Sequence, residues 1–163
     1  MPDTVLIDEE LAAFLQSGVS VHAASRDAAN VPCLVRGVGC RVSPDRRRVT
    51  IFLLASQCGP MLEHFRANGA IAFVASRPST HRTVQLKATD AEVGVPLPGD
   101  ERLVEEQRRG LLADLVGVGY EESLPRALVG GEWSEAVAVS FTPTAVFAQT
   151  PGPGAGALLA GRR

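Results

Sequence analysis

The sequence predicts a mainly β chain of the α+β kind: a small antiparallel barrel of six strands, closed or half-closed, with appended helices. Three observations carry that expectation. Strand-like runs follow one another through short turns, which favours antiparallel hairpins. One helix lies between the third and fourth strands and the others precede the last strand, too few βαβ units for a doubly wound parallel sheet. Closing such a sheet removes its exposed edges.

The 163 residues suit one domain over 1–150, large enough for a real core, followed by a Pro/Gly-rich tail over 151–163. Apolar residues make up 45 % of the chain. No run reaches the roughly 18 apolar residues that span a bilayer. Met1-Pro-Asp-Thr4 has neither a basic nor an apolar leader region, so no signal peptide is expected. A formal charge of −2 and a pI near 5.9 argue against a nucleic-acid partner. Arg46-Arg47-Arg48, next to Pro44 and Asp45, reads as a solvated hairpin turn. Cys33, Cys40 and Cys58 show no ligand spacing and fit a reducing, cytoplasmic setting. A metal site from Cys58, His64 and His81 has no local support.

A helix opens the chain over 8–18. Asp8 caps it, Glu9 and Glu10 suit its positive end, Leu11, Phe14 and Leu15 form one face, and Gly18 closes it. Residues 19–25 alternate as a first strand, and 31–42 read as a second. On that strand Gly37 and Gly39 share a face, leaving room for a backbone or a flat ligand. Arg36 stands among apolar neighbours on the other face. It either meets an anionic partner or extends to water from a strand end. Residues 49–55 are apolar enough for a central strand. Pro60 at a helix start and Asn68-Gly69 at its exit define a helix over 60–69. Strand 70–76 follows, then strand 81–93. Residues 100–129 are helical, interrupted at Gly117–Glu122, and Gly130-Gly131 ends them. Residues 135–141 alternate as the last strand. Pro and Gly over 151–157 predict an irregular tail.

The stretch from Arg77 to Ala88 gathers Arg77, His81, Arg82 and Lys87, the last being the only lysine in the chain. Its alternation puts Val84, Leu86 and Ala88 on a core face, and Thr83, Gln85 and Lys87 on a face of hydrogen-bond donors. Such a face meets either solvent or a polar, anionic, planar ligand.

Val31–Gly37, Leu62–Ala72 and His81–Ala88, in this order of elements, resemble the FMN-binding split barrels related to pyridoxamine 5′-phosphate oxidase. The likeness is best over residues 15–93. It implies a six-stranded split β-barrel and a homodimer with an FMN at each of two interface sites. Arg82 and Thr83 match family positions near the flavin ring or phosphate, and Arg36 falls near the basic phosphate strand. The family's Ser-Arg-Lys phosphate loop aligns with Gln57–Met61, which has no cation. The candidate cofactor-binding residues are therefore Arg36, Gln57, Arg82, Thr83, Gln85 and Lys87. The chain also lacks the C-terminal arginine and histidine motif of vitamin B6 oxidases, so that activity is not expected.

The leading reading is a flavin-dependent oxidoreductase that exchanges electrons with small molecules. Deazaflavin and haem are the alternative cofactors. The competing reading is a non-catalytic flavin- or haem-binding module of the same fold. A hydrolase using Ser56 or Ser79 with His81 lacks a nucleophile elbow.

Overall fold

The computed structural model describes residues 7–162; the leader expectation at Met1–Thr4 lies outside them. Two antiparallel sheets pack into a split barrel. The six-stranded sheet runs in the order β10-β9-β6-β5-β1-β2 and the four-stranded sheet β3-β4-β8-β7. In chain order the strands are β1 (Ser20–Arg26), β2 (Pro32–Arg36), β3 (Gly39–Val42), β4 (Val49–Leu54), β5 (Ile71–Ser76), β6 (Thr83–Ala88), β7 (Glu92–Gly94), β8 (Ala136–Phe141), β9 (Ala145–Ala148) and β10 (Leu158–Gly161). The helices are α1 (Glu9–Leu15), α2 (Met61–Asn68), α3 (Asp100–Gly117) and α4 (Ser123–Val129).

The barrel class agrees with the sequence, but the described residues form ten strands rather than six. Two single runs in the sequence each supply strands to both sheets. Residues 31–42 divide at Gly37-Val38 into β2 and β3, and 81–93 divide at Thr89–Ala91 into β6 and β7. The buried parity changes at each corner, from Val35 to Cys40 and Val42 at the first and from Val84, Leu86 and Ala88 to Ala91 at the second, a slip of one residue that is easily taken for the continuation of one strand. The tail expectation also needs correction. Residues 151–157 are turns, yet Leu158–Gly161 add to β9 as an edge strand once the prolines and glycines have passed.

The main core fills the space between the sheets. Val21, Phe73, Leu86 and Val146 from the large sheet meet Cys40, Ile51, Val139 and Phe141 from the small one. The Phe73 and Phe141 rings lie 5.8 Å apart in a tilted contact. Helices close the remaining openings. In α1, Asp8 accepts the Leu11 N–H at 2.7 Å, and Phe14 and Leu15 enter the core. In α2, Met61 and Phe65 are buried, and the helix ends at Gly69, whose φ of +64° makes the left-handed turn expected there.

A second, smaller core lies outside the four-stranded sheet. Val104 of α3 packs with Phe52, Ala138 and Trp133. Gln107 fixes this helix to β3: its Oε1 accepts from the Cys40 N–H at 2.9 Å, and its Nε2 donates to the Cys40 carbonyl at 2.7 Å. Gly39 is the reason α3 comes so close, since a Cβ there would lie 2.7 Å from Gln107 Oε1. Gly37 is filled likewise, with Ile51 2.7 Å from its notional Cβ. The space of the glycine pair is thus taken up by the protein's own side chains.

Candidate functional site

The six-stranded sheet exposes an outer face that no helix of the described residues covers. Strand registers line its side chains up in rows. One row runs Arg36, His22, Val74, Gln85, Phe147, Leu158 across all six strands. A neighbouring row runs Leu34, Ala24, Ala72, Lys87, Ala145, Gly161. On the other side, Ser20, Ser76 and Thr83 form a hydroxyl row. The centre of the face is small and apolar, with hydrogen-bonding groups around it.

Between β6, β9 and the C-terminal segment this face sinks into a cleft of about 420 Å³. Gln85, Lys87, Phe147, Gln149, Gly156 and Arg162 shape it. Lys87 stands at its edge with Nζ 5.2 Å from the centre of the Phe147 ring, a cation–π distance. Gln149 Nε2 donates to Gln85 Oε1 at 3.4 Å, leaving further amide donors and acceptors on both side chains. The tail is part of the wall: the Gly156 N–H donates to the Ala148 carbonyl at 2.6 Å. Beyond Lys87 lies a second hollow of about 360 Å³, bordered by Ala24, Arg26, Ala72 and Thr89. Lys87 thus separates two depressions on one continuous surface.

The residues singled out in the sequence divide among several places. Gln85 and Lys87 meet in the cleft, as their alternation requires. Thr83 shares their face, and its hydroxyl bonds Ser76 Oγ at 2.6 Å and the His81 carbonyl at 3.0 Å. Arg82 turns away. Its guanidinium pairs with Glu10 at 2.9 Å and lies 4.5 Å from the Phe14 ring centre, beside a separate cavity of about 140 Å³. Arg77 joins it over Phe14 and donates to Ser17 Oγ at 2.6 Å. Two of the four cationic or titratable groups in that stretch therefore hold α1, and His81 takes the left-handed position of the turn, with φ +58°.

Among the described residues Arg36 meets a hydroxyl rather than a carboxylate: Nη1 donates to Ser20 Oγ at 2.8 Å. It sits opposite His22, whose pKa is lowered by burial and then by the Arg36 charge. Gln57 is exposed on a 3₁₀ turn after β4 and does not line the cleft. Phe147, Gln149 and Arg162 lie outside the residues the sequence pattern singles out. The alternation Ala145, Phe147, Gln149 is the sequence signal for the first two, and Arg162 has none.

Other chemistries find no assembled site among the described residues. No group of three or more His, Cys, Asp or Glu residues there can hold a metal. Burial pushes the Cys40 thiol up to about 12, which rules it out as a thiolate at neutral pH. The Ser56 hydroxyl bonds the Glu135 carboxylate rather than a histidine. No helix of the described residues is long and apolar enough to cross a membrane.

A six-stranded sheet facing a four-stranded one, with its broad outer face bare, is a split barrel, a fold this chain shares with solved proteins that include pyridoxamine 5′-phosphate oxidase-like ones. A candidate pyridoxamine 5′-phosphate oxidase from Lactobacillus delbrueckii superposes with a TM-score of 0.52 at 20 % identity, covering 89 % of this chain and 94 % of that one. HupZ from Group A Streptococcus gives 0.54 at 15 % identity, covering 92 % and 99 %. An F420 reductase gives 0.50 at 15 % identity, covering 82 % and 93 %. At such identities the likeness concerns the fold. No family model and no curated protein sequence matches the chain.

Proposed function

We propose that this chain is a flavin-dependent oxidoreductase that binds FMN on the outer face of its six-stranded sheet and works as a homodimer through that face. The observation that carries the reading is the Lys87 cleft. A flat surface with a small apolar centre ends in a pocket holding two amides, an aromatic ring and two cations, Lys87 and Arg162. That donor set fits a planar ring system attached to a phosphate. Gln85 and Gln149 offer amide hydrogen bonds to a polar ring edge, and Phe147 offers an apolar wall. Lys87 and Arg162 offer charge to the phosphate.

The phosphate falls to the cleft's own cations rather than to Arg82, which lies at a separate cavity beside Glu10 and Phe14. When bound, the flavin supplies the electron or hydride chemistry. The chain's own residues bind and orient it, and a second copy over the bare face excludes water. The likeness to an F420 reductase makes a deazaflavin the second cofactor to try.

The test is the visible spectrum of the purified protein with and without added FMN. A shifted, resolved flavin band near 450 nm and quenched flavin fluorescence are expected. An unperturbed free-flavin spectrum at excess protein would refute the reading. If F420 alone responds, the site belongs to a deazaflavin. If FMN binds but neither nitro compounds nor quinones reoxidise it, the chain is a binding module rather than an enzyme.

A further inference from the structure

Helices α3 and α4 meet at another cavity, of about 200 Å³, whose charged lining is Glu105, Arg108 and Arg109 from α3 and Arg126 from α4. It shares no residue with the Lys87 cleft. Arg108 is set deepest, with its side chain 13 % exposed. Its Nε is a buried donor with no acceptor among the described residues. The other donors of the same guanidinium are engaged at long range: Nη1 forms an ion pair with Glu105 at 3.9 Å, and Nη2 donates to the Gly131 carbonyl at 3.4 Å. Arg109 is exposed and forms no ion pair among the described residues, and Arg126 is held by Glu122 one turn earlier. Three guanidinium groups against two carboxylates leave a net positive charge.

Native proteins rarely bury a guanidinium N–H without an acceptor, and a bound anion supplies one. On its inner side Arg108 borders, with Arg36, a void of only about 10 Å³, space for one water at most. An anion must therefore enter from the Arg109 and Arg126 side. A carboxylate has two oxygens to share among three guanidinium groups on two helices. A phosphate monoester has three terminal oxygens, one for each, and forks of N–H donors match it.

We infer that the α3–α4 cavity binds the phosphate group of a small phosphorylated molecule, with Arg108 as the buried anchor and Arg109 and Arg126 at the mouth. Leu112 and Val129 give the rest of that molecule an apolar wall. The inference is independent of the flavin reading.

The experiment follows the Arg108 Nε–H resonance of the full chain by NMR while inorganic phosphate is titrated at constant ionic strength. A saturable shift is expected, with acetate at least about fivefold weaker. Arg109→Gln and Arg126→Gln should each raise the phosphate dissociation constant about fivefold. Arg66→Gln, on the exposed face of α2, should leave it unchanged. The inference is overturned by a shift that never saturates, by equal affinities in the Arg109 and Arg126 variants and the unsubstituted chain, or by acetate binding as tightly as phosphate. It is also overturned if Lys87→Gln abolishes the phosphate response, since the anion would then occupy the other cleft.

Discussion

The two sheets present their outer faces very differently. The four-stranded sheet buries its face under α3, where glycine at 39 lets the helix approach and Gln107 bonds both backbone groups of Cys40. The six-stranded sheet keeps its face bare, with Leu34 at its edge 69 % exposed and with polar groups in register around small apolar ones. A sheet face that the chain does not cover itself is available to a partner or a ligand. The contrast separates structure from function in this barrel: Gly39 and Gln107 serve the first, and Gln85, Lys87 and Phe147 are proposed for the second.

The strongest way to break that contrast is to open the closed face. Gln107→Leu leaves the Cys40 N–H and carbonyl buried without partners, and urea unfolding should show a loss of about 2–5 kcal/mol. A loss below about 1 kcal/mol would mean that α3 is not fastened through this residue. On the open face, Val74→Asp puts a charge at the centre of the long row. Sedimentation should show the dissociation constant of the proposed dimer raised about a hundredfold, about 2.7 kcal/mol. An unchanged sedimentation coefficient would place the subunit contact elsewhere.

Smaller effects sharpen the picture within the open face. Lys87→Ala should weaken FMN binding about tenfold, about 1.4 kcal/mol, and Arg82→Ala less than about threefold. The reverse order in a fluorescence titration would return the phosphate to Arg82. The Arg82 variant should instead lose about 0.5–1 kcal/mol of stability, from an exposed ion pair and a cation–π contact.

The smallest effect expected is on acid stability. Burial and Arg36 lower the pKa of His22 in the folded state, so the unfolded chain binds its proton more readily. That contribution is full above the ordinary histidine value of about 6.5 and declines as pH falls from there toward the folded value. His22→Gln should flatten the stability profile in that window, measured by thermal unfolding between about pH 5 and 7.

Much of the fold was legible. The capped α1, the Pro60–Gly69 helix and the break after Val129 depend on local backbone rules, which sequence carries directly. The division of 31–42 and 81–93 between sheets shows in the sequence only as a one-residue slip in the phase of alternation, as from Ala88 to Ala91, and only the structure shows that each slip carries the chain into the other sheet. The lining of the candidate site was legible in part. Gln85 and Lys87 follow from strand parity alone. Arg82 and Arg77 looked equivalent to Lys87 as charges, and only the placement of α1 shows that Phe14, Glu10 and Ser17 engage them. The glycine pair suggested room for a ligand, but Ile51 and Gln107 occupy that room from distant parts of the chain.

Because Lys87 is the only lysine, its ε-amine reports on the proposed site without interference from any other. Its acylation rate by an amine-reactive reagent, followed by peptide mass spectrometry with and without FMN, is the most direct test. Free lysine in the same tube controls for reagent loss. Saturating FMN should slow Lys87 modification about tenfold or more while the free amine reacts as before. An unchanged rate at Lys87 would contradict the assignment of this face to the flavin.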